Sequence, residues 1–235
     1  MAGVILTTQN IAGFANANFP LAARLTADLG GPPVFLDRDT VMAAIGEGLA
    51  GAAKGARNFV YLTVSTGIGG AIVADGRMIR GASNTAGELG HFPVGFDRDV
   101  RCRCGSFGCV EAYAAGRNLA EAYGVDDASI VYAKAAAGDA RAAALVARAE
   151  AALENLAVGI VNALNPERIV VGGSVAEHEP AHVLEPMRRA IAERAFQVPA
   201  AAVAVVPSAL GGDVSIIGAA LAARARAAGE GTWFL

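Results

Sequence analysis

The chain has 235 residues, 54% of them hydrophobic and 17% charged, with a formal net charge of −3. That balance describes a globular chain long enough to bury a core, and it excludes intrinsic disorder and the basic footprint of a nucleic-acid binder. Its apolar stretches break at Gly, Asn or charge well short of a membrane span, and residues 1–20 lack a basic start followed by an apolar block. The expectation is a cytoplasmic protein with no membrane partner.

In chain order, residues 3–8 (GVILTT) read as a strand entering a loop over 9–18, and 20–29 as a helix ended by Gly30-Gly31. Residues 33–36 (PVFL) read as a strand and 40–53 as an Ala-rich helix. Strands follow at 57–64 and 67–74, and Asp75-Gly76 is a tight hairpin signal into a third at 77–79. Residues 82–108 are irregular. Helices are expected near 109–122, 127–136 and 139–164, the last stopped by Asn165-Pro166 because a residue before proline resists the helical region. A strand at 168–171 ends in Gly172-Gly173, a helix covers 180–196, a strand 202–206 and a final helix 213–228. Alternating strands and helices predict an α/β sheet, with a meander of antiparallel strands at its middle.

The three cysteines, Cys102, Cys104 and Cys109, fall within eight residues, and His91 lies eleven residues before the first. Three cannot pair off, and a cytosolic chain does not favour disulfides. Three thiolates and one imidazole are the donor set of a closed tetrahedral zinc site, and Gly105 and Gly108 allow the backbone to turn sharply around one ion. Arg101 and Arg103 favour the thiolate form. Buried apolar cysteines, the plain alternative, do not cluster at such spacing in a Gly-rich loop.

The run Ala86-Gly87-Glu88-Leu89-Gly90-His91, then Cys102-x-Cys104-Gly-x-x-Gly-Cys109-x-Glu111, resembles the signature of the ROK family of sugar kinases and sugar-sensing repressors. The similarity extends through Ser65-Thr66-Gly67-Ile68-Gly69-Gly70, through 165–173 (NPERIVVGG) and through Ile217-Gly218-Ala219-Ala220. It implies an actin-like, ribonuclease H-like α/β ATPase fold, with sugar and nucleotide held between two lobes. The implied organisation is a remnant of the first lobe over 1–55, a complete second lobe over 56–212 and a C-terminal helix over 213–235 returning toward the first.

The resemblance assigns roles residue by residue. Asp39, before the Ala44-Ile-Gly-Glu47 helix, matches the catalytic aspartate that takes a proton from the attacking sugar hydroxyl. Helix capping is its plain alternative, and both can hold. Glu88, His91 and Glu111 match residues that accept hydrogen bonds from ring hydroxyls, with His91 serving metal through one nitrogen and sugar through the other. Thr66, Gly67, Gly69 and Gly70 match a phosphate hairpin, and Gly172-Gly173 a bare backbone for the nucleoside; out of context the first reads more readily as a plain β-turn and the second equally as a strand-end turn. ATP with Mg²⁺, a structural Zn²⁺ and a small sugar are the implied ligands. A homodimer is compatible with this reading.

The sequence departs from the family pattern in three places. The D-x-G-G-T phosphate loop that opens the family is missing, so the first lobe is expected to lack about 60 residues at ordinary element sizes. Asp28-Leu-Gly-Gly31 is better read as a glycine-closed helix end. Arg38 and Val41 stand where the family has asparagines. The expected function is ATP-dependent phosphorylation of a hexose or N-acetylhexosamine. The alternatives are the sugar-sensing part of a ROK repressor, or a zinc-stabilised remnant without catalysis.

Overall fold

The computed structural model describes residues 3–5, 18–95 and 100–229. Most of the opening strand and loop expected over 3–18 therefore lies outside the described residues. The chain divides into two compact units, Met1–Asp39 and Thr40–Leu235.

In the first unit, α1 (Leu21–Leu29) ends at Gly30, whose left-handed backbone closes the helix as expected. The Thr26 hydroxyl accepts the backbone N–H of Val34 at 2.9 Å and ties the following segment to the helix. That segment corrects one expectation: residues 33–36 form no strand, and Pro33 within them has no N–H to give a ladder hydrogen bond.

The second unit is built on a five-stranded mixed sheet of order β3-β2-β1-β4-β5, from β1 (Phe59–Val64), β2 (Ile68–Ala74), β3 (Arg77–Met78), β4 (Arg168–Gly172) and β5 (Ala204–Pro207). The antiparallel meander β1-β2-β3 forms one side of the sheet, with β4 and β5 parallel to β1 on the other. The meander thus runs from one edge to the centre and does not occupy the middle alone, because β1 and β4, the two apolar runs covered on both faces, pair with each other there. Its side chains alternate between two cores. Val60, Leu62 and Val64 pack into a cluster with Leu119, Val131, Leu153, Leu156 and Met187, while Phe59 and Tyr61 join Val41, Ile45 and Val214.

Helices follow from local signals. The helix α2 (Asp39–Ala50) precedes the sheet, and α10 (Val214–Ala227) ends the unit. The expected 109–122 helix is two, α3 (Val110–Ala114) and α4 (Gly116–Tyr123), because Ala115 is extended and the Gly116 N–H bonds the Ser65 carbonyl at 2.8 Å. Next come α5 (Ala128–Ala136) and the long α6 (Ala140–Leu164). The Asp139 carboxylate caps α6 by accepting the Ala142 N–H at 2.8 Å, and Asn165 ends it in the left-handed region. Beyond β4 lie α7 (Ser174–His178), α8 (Pro180–Arg194) and α9 (Gln197–Ala202). The sequence predicts no helix over α9, and α7, directly after Gly172-Gly173, is separate from the helix expected over 180–196; both are too short to show a helical period.

Candidate functional site

The site is assembled around the turn between β1 and β2. Gly69 and Gly70 lie inside β2, opposite Thr63 and Leu62, so the turn itself is Ser65–Gly67, with Thr66 exposed. The segment carrying Glu88 and His91 lies flat on this hairpin. A side chain at Gly90 would collide with the Ile68 carbonyl, and one at Gly87 would stand 2.8 Å from the Gly70 carbonyl, so only glycine allows the approach. Glu88 is exposed and precedes a single 3-10 turn, Leu89–His91.

His91 and the three cysteines converge as their spacing suggests. Their donor atoms all lie within 4.8 Å of one another. The Cys104 and Cys109 sulfurs are 3.8 Å apart, and Cys102 Sγ is 3.7 Å from His91 Nδ1. Four ligands at Zn–S distances of about 2.3 Å would place the sulfurs about 3.8 Å apart at the edges of a tetrahedron, so the donor set fits such an ion. As free thiols the three compete. Burial and its neighbours push Cys109 up to about 12, and burial also raises Cys102. Burial acts on Cys104 in the same direction, but hydrogen bonds from the Ser106 backbone and the other two thiols outweigh it and lower that group. A divalent cation would reverse the logic by favouring every thiolate.

The helix α3 starts directly after Cys109 and turns Glu111 toward the hairpin, where Oε2 accepts the Ile68 N–H at 3.0 Å. Gly172 ends β4 and Gly173 starts α7 with φ +94°. A side chain at Gly173 would come within 2.6 Å of the Thr63 hydroxyl and the Val64 carbonyl, so this backbone packs bare against the end of β1. Asp39 is exposed and is the first residue of α2, where a carboxylate suits the helix dipole.

A cavity of about 620 Å³ lies beside the hairpin turn, lined among others by Thr66, Arg117, Asp126, Tyr132, Ser174 and His178. The Ser65 and Ser174 hydroxyls are 2.9 Å apart at its edge. Burial holds the Tyr132 phenol protonated well above its ordinary range. His178 Nδ1 lies 2.7 Å from the Ser174 carbonyl oxygen. Arg103, from the cysteine loop, pairs at 2.5 Å with Glu121, another lining residue. Sequence reasoning reached Thr66 and the glycines next to Ser174, but none of the α4, α5 and α7 side chains. Their one signal was the helix-start pattern Asp126-Asp127-Ala128-Ser129, which reads first as a cap.

The ROK family profile matches residues 2–226. A glucokinase of Halalkalibacterium halodurans is 33% identical over 220 residues, 86% of this chain and 66% of its own length. An N-acetylmannosamine kinase of Citrobacter koseri is 38% identical over 72% of this chain and 58% of its own. The xylose repressor of Bacillus subtilis is 29% identical over 79% of this chain and 49% of its own. The chain therefore spans between about half and two thirds of the length of these relatives. Among solved structures, the ROK hexokinase of Thermus thermophilus superposes with a TM-score of 0.76 at 35% identity, covering 90% of this chain and 72% of that one. A ROK glucokinase of Streptomyces griseus, solved with glucose and AMPPNP, gives 0.76 at 27% identity, covering 94% and 77%. With its glycine-packed hairpin, its cysteine–histidine cluster and its mixed sheet matched from end to end, this chain belongs to the ROK family.

Proposed function

We propose that the chain phosphorylates a hexose or N-acetylhexosamine with ATP, and that the metal cluster is a structural zinc site that holds the sugar-binding residues. The observation that carries this reading is the Glu111–Ile68 hydrogen bond, since one side chain joins the cysteine loop to the hairpin turn. Glu88, His91 and Glu111 accept hydrogen bonds from ring hydroxyls, with His91 Nδ1 on the metal side and Nε2 left for the sugar. Backbone amides at Thr66, Gly67, Gly69 and Gly70 approach the phosphates, and Gly172-Gly173 and the cavity beyond Ser174 take the nucleoside. Mg²⁺ accompanies ATP and neutralises phosphate charge when bound. Asp39 receives the proton of the attacking hydroxyl. The kinases among the relatives, and the glucose and AMPPNP named for one neighbour, support this choice.

A coupled assay for ADP with glucose, N-acetylglucosamine and N-acetylmannosamine, run beside calorimetry with each sugar, tests it. Turnover with one sugar is the expected result; neither binding nor turnover from a folded sample would end the reading. Sugar sensing is the second reading, favoured by the similarity to a repressor and by Arg38 where the family has asparagine. It predicts sugar binding without ADP release.

A further inference from the structure

Among the described residues Glu47 is the one charged side chain that is fully buried, at 0% exposure. It lies in the last turn of α2, the end at which the helix dipole disfavours a negative charge. Burying an ionised carboxylate is costly unless hydrogen bonds replace its water, and here four neutral donors do so. Oε1 accepts the Ser208 hydroxyl at 2.5 Å and the N–H groups of Ala209 and Leu210 at 3.0 and 3.1 Å. Oε2 accepts the Ala52 N–H at 2.5 Å. Closing its own helix would need Ala52 alone. The other three donors lie on the loop after β5, more than 160 residues along the chain.

That loop leads to the cavity. The Ser208 N–H bonds the Val171 carbonyl at 2.8 Å, and the Ser208 Cβ stands 3.0 Å from where a side chain on Gly172 would begin. Gly173 follows, its carbonyl accepting the Glu177 N–H at 2.9 Å, and then Ser174, whose hydroxyl meets that of Ser65. Hydrogen bonds therefore run from α2 through Ser208 to Val171, and the chain continues from there through Gly172 and Gly173 to Ser174, which lines the cavity.

We propose that Glu47 is a positioning residue that fixes α2, the helix opened by Asp39, against the Gly172–Ser174 corner of the cavity. The functional half of this statement rests on the kinase reading above; the mechanical half does not. A carboxylate does this better than an amide, because all four donors need acceptors and the NH₂ of a glutamine would face one of them. Ser208→Ala removes a single donor and leaves the fold intact, whereas Glu47→Gln disturbs the whole set.

Amide hydrogen exchange on the intact chain, with parent, Ser208→Ala and Glu47→Gln compared by circular dichroism for equal folding, is the primary test. Both variants should speed exchange at Ala209, Leu210 and, beyond the direct contact, at Glu177, more in Glu47→Gln, with residues 102–109 unchanged. In the parent's kinetics, Ser208→Ala should lower kcat between about tenfold and 10²-fold with KM for sugar within about twofold, the pattern of a misplaced reacting group. Exchange that quickens only at the direct contacts, with Glu177 unmoved, would overturn the proposal. So would faster exchange everywhere, including the cysteine loop, since Glu47 would then be a general stabiliser. If the parent proves inactive the kinase reading fails, and the exchange result still decides the role of Glu47.

Discussion

Glu111 accepts the backbone N–H of Ile68 through Oε2 at 3.0 Å, which joins the helix after the cysteine loop to the hairpin beside the cavity. One oxygen is thus engaged in positioning; under the proposed function the other receives a sugar hydroxyl. Glu111→Gln keeps an acceptor for Ile68 but removes the charge. Hydrogen bonds to a charged group contribute about 1.5–3 kcal/mol against about 1 for neutral pairs, so sugar affinity should fall about tenfold while nucleotide binding holds. Glu111→Ala loses both bonds and should weaken the two ligands together. Calorimetry with sugar and with AMPPNP separates these outcomes, and equal losses for both ligands in Glu111→Gln would refute the division of labour.

The metal cluster gives a sharper test. Donor atoms within 4.8 Å, three of them sulfur, point to one tightly held zinc per chain. Protein purified without added zinc should contain about one equivalent, and zinc binding of this kind is folding free energy. Removing it with a chelator, or making Cys104→Ser, should lower Tm by on the order of 10 °C, the shift expected for a few kcal/mol in a chain of this size. Metal-free protein with three reactive thiols and an unchanged Tm would remove zinc from the account.

The cluster was legible because its four donors lie within nineteen residues and their spacing alone brings them together. The sheet was legible for a similar reason: β1 and β4 carry apolar runs, and Asp75-Gly76 marks its hairpin through left-handed backbone at both residues. The cavity was not. Arg117, Tyr132 and His178 come from α4, α5 and α7, and nothing local in a helix announces that its end faces an opening. The break at Ala115 was hidden too, because it arises from the Gly116–Ser65 hydrogen bond between segments about 50 residues apart. Glu47 read as an ordinary helix residue, since its partners lie on a distant loop.

Under the proposed function the charge of the cavity bears on the choice of phosphoryl donor. Glu121, Asp126, Asp127 and Glu179 line it against one arginine and one histidine, and a hydrogen bond from Ser129 keeps Asp127 ionised below the usual carboxylate range. Carboxylates suit the hydroxyls of a ribose and repel a continuous chain of phosphates. ATP should therefore support turnover, and inorganic polyphosphate at equal phosphate concentration should give at most a few per cent of that rate, on the order expected for like-charge exclusion. Asp126→Asn should raise KM for ATP without changing KM for sugar. Equal rates with polyphosphate would show that the acidic end of the cavity does not select the donor.

The proton acceptor is the last link to test. A sugar hydroxyl is a weak nucleophile until its proton has a destination, and a positioned base of this kind contributes about 10²–10⁴ in rate. Asp39 is exposed and begins α2, so Asp39→Asn changes neither size nor helix start, and α2 should stay folded around its buried residues Val41, Ala44 and Ile45. Activity in the ADP-coupled assay should drop by that factor while calorimetric sugar affinity moves little, the split expected when only the transition state loses an interaction. Arg38→Asn, which restores the family residue, should leave kcat equal or higher. Full activity in Asp39→Asn would reduce Asp39 to a helix-starting residue and send the search for the base elsewhere.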